Sequence, residues 1–278
     1  MRLFDAHNHL QDHRLDGIRP SLETSLLSAG LVEAVVHGSA PDDWPEVAAL
    51  ARAHPWVRPA FGLHPWYVRE RGPCWLEELR AWLLAFPDAP VGEIGLDRWI
   101  ENPDLEAQIV CFRAQVGLAQ ELDRPATLHC LRAWGLLVEQ LRAQRPPTRG
   151  FLLHSYGGPA EMIPLFVKMG AYFSLSPYFG HARKAQQRAV FAAVPLDRLL
   201  AETDAPDMWP PDEQNPHPLS CDGQPINHPA NLRVSYELLA RVRGMSVEDL
   251  AAQVEENYRR LFGSPSVPPP PEFSQPIG

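Results

Sequence analysis

The sequence predicts an α/β protein, a closed (β/α)8 TIM barrel, and three observations predict it. Short apolar or alternating runs recur eight times along the chain. Nearly every one is followed by a turn and then by a stretch with helical spacing, the pattern of repeated β-α units. The 278 residues, 45% of them hydrophobic, match the ~250 residues usual for such a barrel. That length would also suit two ordinary domains. Eight parallel strands in one chain favour the closed barrel.

The strands are expected at Arg2 to His7, Leu31 to His37, Val57 to Leu63, Pro90 to Leu96, Pro125 to Cys130, Gly150 to His154, Ala171 to Leu175 and Leu199 to Thr203. Between them, helices are clearest at Trp75 to Phe86 and Leu105 to Leu122. In the latter, Leu105, Ile109, Phe112, Val116 and Ala119 form one stripe able to lie on a sheet. Pro103 and Asp104 before it, and Pro159 before a helix over Met162 to Met169, are good helix-entry residues. The eighth strand leads into a Pro-, Asp- and Gly-rich loop, Pro206 to Pro229, long enough to be a functional lip, and then helices near Asn231 to Val242 and Val247 to Phe262. Residues 1–263 thus read as one barrel domain. From 264 to 278 the run of prolines removes donors and fixes φ, so this part reads as a disordered tail, with a polyproline ligand as the competing reading.

Charge and cysteine usage narrow the function classes. With 25 Lys plus Arg against 34 Asp plus Glu, the net charge is −9, which disfavours duplex binding through a broad basic face. Cys74, Cys111, Cys130 and Cys221 form no C-x-x-C pair, so neither a disulfide framework nor a structural zinc module is suggested. The first residues run straight into a strand and no apolar run approaches the ~20 residues of a spanning helix, so a cytoplasmic protein with no membrane contact and no obligate protein partner is expected.

The chemistry lies in where the metal-capable side chains fall. Asp5, His7 and His9 end the first strand, Glu93 and Asp97 flank the end of the fourth, and His129, His154 and Asp204 end the fifth, sixth and eighth. In an α/β barrel those ends share one rim. His7 and His9, two apart, face the same way. A lone strand histidine is more often a satisfied polar residue than a ligand. Titratable groups from five strand ends, however, would repel or stay unsatisfied without cations to neutralise them. Imidazoles with carboxylates and no thiolate suit zinc, manganese, iron, cobalt or nickel, and magnesium less readily. Six ligands exceed the need of one tetrahedral ion, so one or two divalent cations are expected: His7, His9, Glu93 and Asp204 on one, and Glu93, as a bridge, with His129 and His154 on the other.

The motifs Phe4-Asp5-Ala6-His7-Asn8-His9, Gly62-Leu63-His64-Pro65-Trp66, Val91-Gly92-Glu93-Ile94-Gly95-Leu96-Asp97, His154-Ser155-Tyr156-Gly157-Gly158 and Glu202-Thr203-Asp204-Ala205-Pro206 resemble, in order and spacing, those of the TatD-type metal-dependent hydrolases. Asn227 to Asn231 and Asn257 to Phe262 extend the likeness to the end of the barrel. The resemblance implies a TIM barrel of the amidohydrolase superfamily, a one- or two-metal centre and a phosphodiester substrate, as in a deoxyribonuclease acting on single-stranded or nicked DNA or on a small phosphodiester. It also implies that His64 is a site residue. Two places depart from the family pattern. The arginine expected two residues after His129 is Leu131, with Arg132 following, and Pro225 and Ile226 stand where basic residues are expected.

The expected reaction is hydrolysis by a metal-activated water, with Asp204 as ligand and general base and Glu93 as bridge. His64, Arg132 and Tyr156 are the expected substrate contacts. Rim aromatics Trp66, Tyr67, Trp99, Tyr156 and Trp209 could stack a base or simply pack the barrel lip. The competing reading on the same barrel is a metal-dependent amidase, lactonase or ester hydrolase, favoured by the negative charge and the missing basic residues. A non-catalytic binding barrel predicts damaged ligand positions, and all six are intact.

Overall fold

The chain is described by a computed structural model covering residues 1–264. Apart from Ser264, the expected proline-rich tail lies outside the described residues. Eight parallel strands follow the expected order: β1 (Leu3–Asn8), β2 (Leu31–His37), β3 (Val57–Ala60), β4 (Val91–Asp97), β5 (Ala126–Leu131), β6 (Phe151–Leu153), β7 (Ala171–Leu175) and β8 (Leu199–Ala201). β1 to β3 form one continuous ladder and β4 to β8 another. Between them, Phe61 makes a single parallel bridge to Val91. At the other junction Asp204 N donates to His7 O (2.9 Å) and His9 N to Ala205 O (2.8 Å). These links close the ring.

The β1/β8 junction is stitched largely by side chains. Asp5 accepts the Thr203 N–H (3.0 Å) and hydroxyl (2.6 Å). Below it, the Tyr236 hydroxyl bonds both the N–H and the C=O of Phe4, at 2.9 and 3.0 Å. Burial pushes the Asp5 carboxyl up to about 7, against the lowering effect of the Thr203 hydrogen bonds.

Helices α1 (Arg19–Ser28), α2 (Trp44–Ala53), α3 (Trp75–Ala85), α4 (Leu105–Glu121), α5 (Trp134–Gln144), α6 (Ile163–Lys168), α7 (Ala185–Val190), α8 (Leu232–Arg243) and α9 (Val247–Phe262) cover the outside. Their ends carry ordinary signals. Asp104 caps α4 by accepting from Ala107 N (3.0 Å), Ser246 caps α9 through Asp249 N (3.0 Å), and α8 stops at Gly244 with φ +63°. Strands alternate inward and outward side chains, so Phe4 points out to pack at a tilt against Tyr258 of α9, ring centroids 4.9 Å apart, while its neighbours Asp5 and Leu3 turn into the barrel.

Two departures from the expected elements bear on the site. The third strand stops at Ala60 rather than Leu63 because the buried Gln115 of α4 takes over the Leu63 backbone, accepting its N–H at 2.6 Å and donating to its C=O at 3.1 Å. The chain is thereby lifted out of the sheet just before His64. Gly62 makes this possible, since a Cβ there would meet the Gly92 carbonyl carbon at 2.7 Å and the Glu93 oxygen at 2.9 Å. The lip after β8, expected as a loop, contains an antiparallel hairpin, β9 (Pro218–Cys221) and β10 (Gln224–Asn227), turned by Asp222 and Gly223, both at positive φ.

Candidate metal centre

Glu93 sits at the centre of the rim. Its Oε2 lies 3.3 Å from Nε2 of both His7 and His9. Its Oε1 lies 2.7 Å from His154 Nε2 and 3.0 Å from His129 Nδ1. Asp204 Oδ1 completes the first group at 3.4 Å from His7 Nε2 and 3.7 Å from His9 Nε2. In the second, His129 Nδ1 and His154 Nε2 are 3.2 Å apart. The six side chains expected to meet do meet. All are buried except His9, which is half-buried, and Asp204 is the most open of the buried five.

Outer hydrogen bonds fix which edge each imidazole presents. His9 Nδ1 lies 2.9 Å from the His37 carbonyl, which can only accept, so Nδ1 carries the proton and Nε2 turns a lone pair inward. His129 Nε2 lies 3.0 Å from Asp97 Oδ2, which leaves Nδ1 free toward Glu93. His64 has the opposite tautomer: its Nδ1 accepts the Trp66 N–H (3.2 Å), so the neutral ring carries its proton on Nε2, 3.5 Å from Glu93 Oε1. Burial drives the His64 imidazole down to about 4, more than Glu93 can offset. The neutral His64 ring thus presents an N–H beside the cluster, within reach of Glu93 and His129.

The electrostatics call for positive charge here. Burial alone would push the Glu93 carboxyl up, but His154, His64 and His7, with the His129 hydrogen bond, hold it well below the usual range. Burial disfavours the His9 imidazolium, yet the hydrogen bond and charge of Glu93, helped by Asp204, raise it to about 9. Charge is wanted on that inward edge, and a proton or a cation can supply it. His7 is wholly buried, and neither of its ring nitrogens has a hydrogen-bond partner among the described residues. Leaving such groups unsatisfied costs about 1–3 kcal/mol each, so a cation on Nε2 resolves what the protein alone does not. The donor set fits a divalent transition metal.

Three supporting residues stand outside the six. Asp97 is held at about 2: burial opposes this, but hydrogen bonds from His129 and Trp66 prevail. Glu202, fully buried on β8's exit, accepts from Ser155 N (2.8 Å) and from the hydroxyls of Ser155 and Ser174, and faces His154 Nδ1 at 3.8 Å. His37 lies against His7 with ring centroids 4.1 Å apart. Asp97 and Glu202 fall in the strand-end motifs, where position is legible but partner is not. His37 reads as an ordinary strand residue because its link to the site runs through its backbone carbonyl.

One expected substrate contact is placed elsewhere. Tyr156 is not at the mouth: it is fully buried between Trp134 and Phe173, its hydroxyl donating to Pro159 O at 2.8 Å. The physical reason is local. Ser155 takes φ +41°, which sends its hydroxyl to Glu202 and turns the next side chain into the helix layer. Arg132 lies exposed on the rim just beyond β5, and no hydrogen bond or ion pair joins it to the six-residue cluster among the described residues.

The family model described as TatD related DNase matches residues 4–263. The chain belongs to the TatD-related DNase family. Two relatives span nearly its whole length. The metal-dependent hydrolase YjjV of Escherichia coli is 29% identical over 267 residues, 95% of this chain and 99% of the relative. The 3'-5' ssDNA/RNA exonuclease TatD of Erwinia tasmaniensis is 30% identical over 266 residues, 94% and 99% of the two chains. The crystal structure of Escherichia coli YjjV superposes with a TM-score of 0.85 at 28% identity, covering 95% of this chain and 99% of that one. The architecture is thus a TatD-type TIM barrel. No helix among the described residues is long and apolar enough to cross a membrane.

Proposed function

We propose that this TatD-family chain is a divalent-metal-dependent phosphodiesterase that cleaves single-stranded nucleic acid. The observation that carries the reading is the position of Glu93, whose two oxygens face two different sets of imidazoles, His7 and His9 on one side and His129 and His154 on the other. A carboxylate so placed suits a bridge between two cations, one held by His7, His9, Glu93 and Asp204, the other by Glu93, His129 and His154. Imidazole and carboxylate donors without thiolate favour zinc, manganese, iron, cobalt or nickel over magnesium. Cations bound there would lower the pKa of water and neutralise charge on the phosphoryl oxygens.

The chain's own residues divide the remaining work. Asp204 Oδ1 faces His7 and His9, and no further hydrogen bond engages the carboxylate among the described residues, so Oδ2 is free to accept the proton of the attacking water. His64, neutral and protonated on Nε2, donates to a phosphoryl oxygen or the leaving group. Asp97 and Glu202 hold His129 and His154 in register. The four unbridged cysteines support a reducing, cytoplasmic setting.

The test is one panel: metal-reconstituted protein on single-stranded DNA, on a generic phosphodiester and on a generic carboxylic ester, with Glu93→Ala as control. Strand cleavage that disappears in Glu93→Ala is expected. Hydrolysis of the carboxylic ester alone overturns the proposal in favour of an esterase or lactonase.

A further inference from the structure

Asp97 does more than hold His129. Its Oδ2 also accepts the indole N–H of Trp66 at 2.7 Å, and its Oδ1 accepts the backbone N–H of Trp99 at 2.5 Å. One buried carboxylate therefore anchors a catalytic-centre imidazole and two tryptophans. Both indoles are open to solvent, Trp66 at 45% and Trp99 at 57% exposure, among the largest exposed apolar surfaces of the described chain. Trp66 meets only ring edges, those of His64 at 5.1 Å and His129 at 6.4 Å. The Trp99 ring has no aromatic or hydrogen-bond partner among the described residues. Among the described residues no aromatic ring stacks face to face on either indole.

Beside them run unpaired cations. Arg98 N is bonded to Leu131 O at 2.9 Å, which places Arg98 and Arg132 on adjoining strand exits. Neither guanidinium has a hydrogen-bond or ion-pair partner among the described residues, although the chain carries nine more acids than bases. Arg132 stands at φ +53°, a conformation costly for a side chain other than glycine or asparagine, and it presents the residue outward from the rim.

We propose that Trp66 and Trp99, both tied to Asp97, form a base-stacking platform at the edge of the metal centre, with Arg98 and Arg132 taking the backbone phosphates of the same strand. This rests on the phosphodiesterase reading and specifies its substrate: a flexible strand with unpaired bases, because only unstacked bases expose faces to an indole. The cations replace the phosphate contact that the family pattern places two residues after His129. An acidic protein partner is disfavoured by the same geometry, since flat indole faces linked to His129 through Asp97 offer stacking rather than charge.

The experiment measures binding and turnover together. Anisotropy titration of the metal-loaded protein with a labelled octathymidylate carrying phosphorothioate linkages, which slow cleavage, gives Kd; steady-state cleavage of the ordinary strand gives kcat and KM. Trp99→Ala and Trp66→Ala are each expected to weaken Kd and raise KM by roughly 5- to 150-fold, the range for losing one stacked base. The loss should be below about 2-fold on a strand abasic at the stacked positions, because no stacking is then available to lose. Trp66→Phe, which keeps a ring but not the N–H, should bind within a few-fold of the parent. Arg132→Ala should reduce the salt dependence of log Kd by roughly one counterion.

Unchanged Kd in both alanine variants overturns the platform while leaving the phosphodiesterase reading intact. So does duplex binding as tight as single-strand binding, or tighter binding of an acidic peptide. A Trp66→Phe loss as large as that of Trp66→Ala overturns stacking by Trp66 and makes it a positioning residue for Asp97. If the parent protein cleaves no strand yet hydrolyses the carboxylic ester, the underlying reading falls and the platform with it.

Discussion

His129 donates its Nε2–H to Asp97 at 3.0 Å, and that single bond turns its Nδ1 toward Glu93, also 3.0 Å away. Without the carboxylate the ring can flip or take the other tautomer, and nothing then fixes the inward lone pair. Asp97→Ala should therefore weaken cation binding on the His129–His154 side by roughly 10- to 100-fold and leave the His7–His9 side close to normal. Calorimetric metal titration reads this as one weakened step out of two. Two unaltered steps would contradict the arrangement.

Glu93 and Asp204 should separate cleanly. Glu93→Ala removes donors from both groups, so metal content by mass spectrometry should fall below that of a single site together with activity. Asp204→Asn keeps a neutral oxygen toward His7 and His9 but cannot accept a proton. Its kcat should drop by about 10²- to 10⁴-fold with metal content largely retained. Full turnover in Asp204→Asn would remove the base role.

Gln115 offers a test of how the rim is built. It is fully buried, and its amide is the partner for both polar groups of Leu63. Gln115→Leu fills the same space but strands an N–H and a C=O, at about 1–3 kcal/mol each. Thermal unfolding should shift down by roughly 3–10 °C, and catalysis should suffer through the displaced His64. An unshifted melting temperature would mean the Leu63 backbone finds another partner.

Acid sensitivity has a source away from the metal centre. Burial pushes the His228 imidazole down to about 4, with the neighbouring His217 adding to the effect. In the unfolded chain it titrates near 6.5. Between those values the unfolded state binds the extra proton, so stability is intact above about pH 6.5 and is lost as the pH falls toward 4. With a discount for partial exposure, the loss from pH 7.5 to pH 5 is about 1 kcal/mol. His228→Asn keeps an acceptor for the Ala230 N–H (3.0 Å) and removes the titration. Its urea midpoint should fall less than the parent's over that pH range, and equal falls would exclude His228 as the source.

Much of this was legible in the residues, for reasons that differ between elements. Leu31 to His37 and Ala171 to Leu175 match β2 and β7 end for end, because apolar runs bounded by turns leave little freedom. The β9–β10 hairpin was hidden: Pro218 and Pro225 break the alternation that announces strands, although Asp222-Gly223 is a strong turn pair. On α4, apolar spacing shows the buried stripe but not that Gln108 and Gln115, also inward, clamp the exits at Asp97 and Leu63. At the site, strand-end position was enough to assemble the six donors. It was not enough for Tyr156, whose direction is decided by one left-handed residue before it, nor for the tautomers of His9, His64 and His129, which depend on carbonyls and carboxylates distant in sequence.

The ring's joint between its first and last strands has a further implication. β8 is three residues long and shares no ladder with β1; two main-chain bonds and the grip of Asp5 on Thr203 hold the two chain segments together. His7 and His9 rise from one side of that joint and Asp204 from the other. An ion gripped by all three would act as a rivet across one of the barrel's two edges that lack a continuous ladder, so loading the centre and locking the two chain ends into one body become a single event, and chelation should show first as faster amide exchange along β1 and β8.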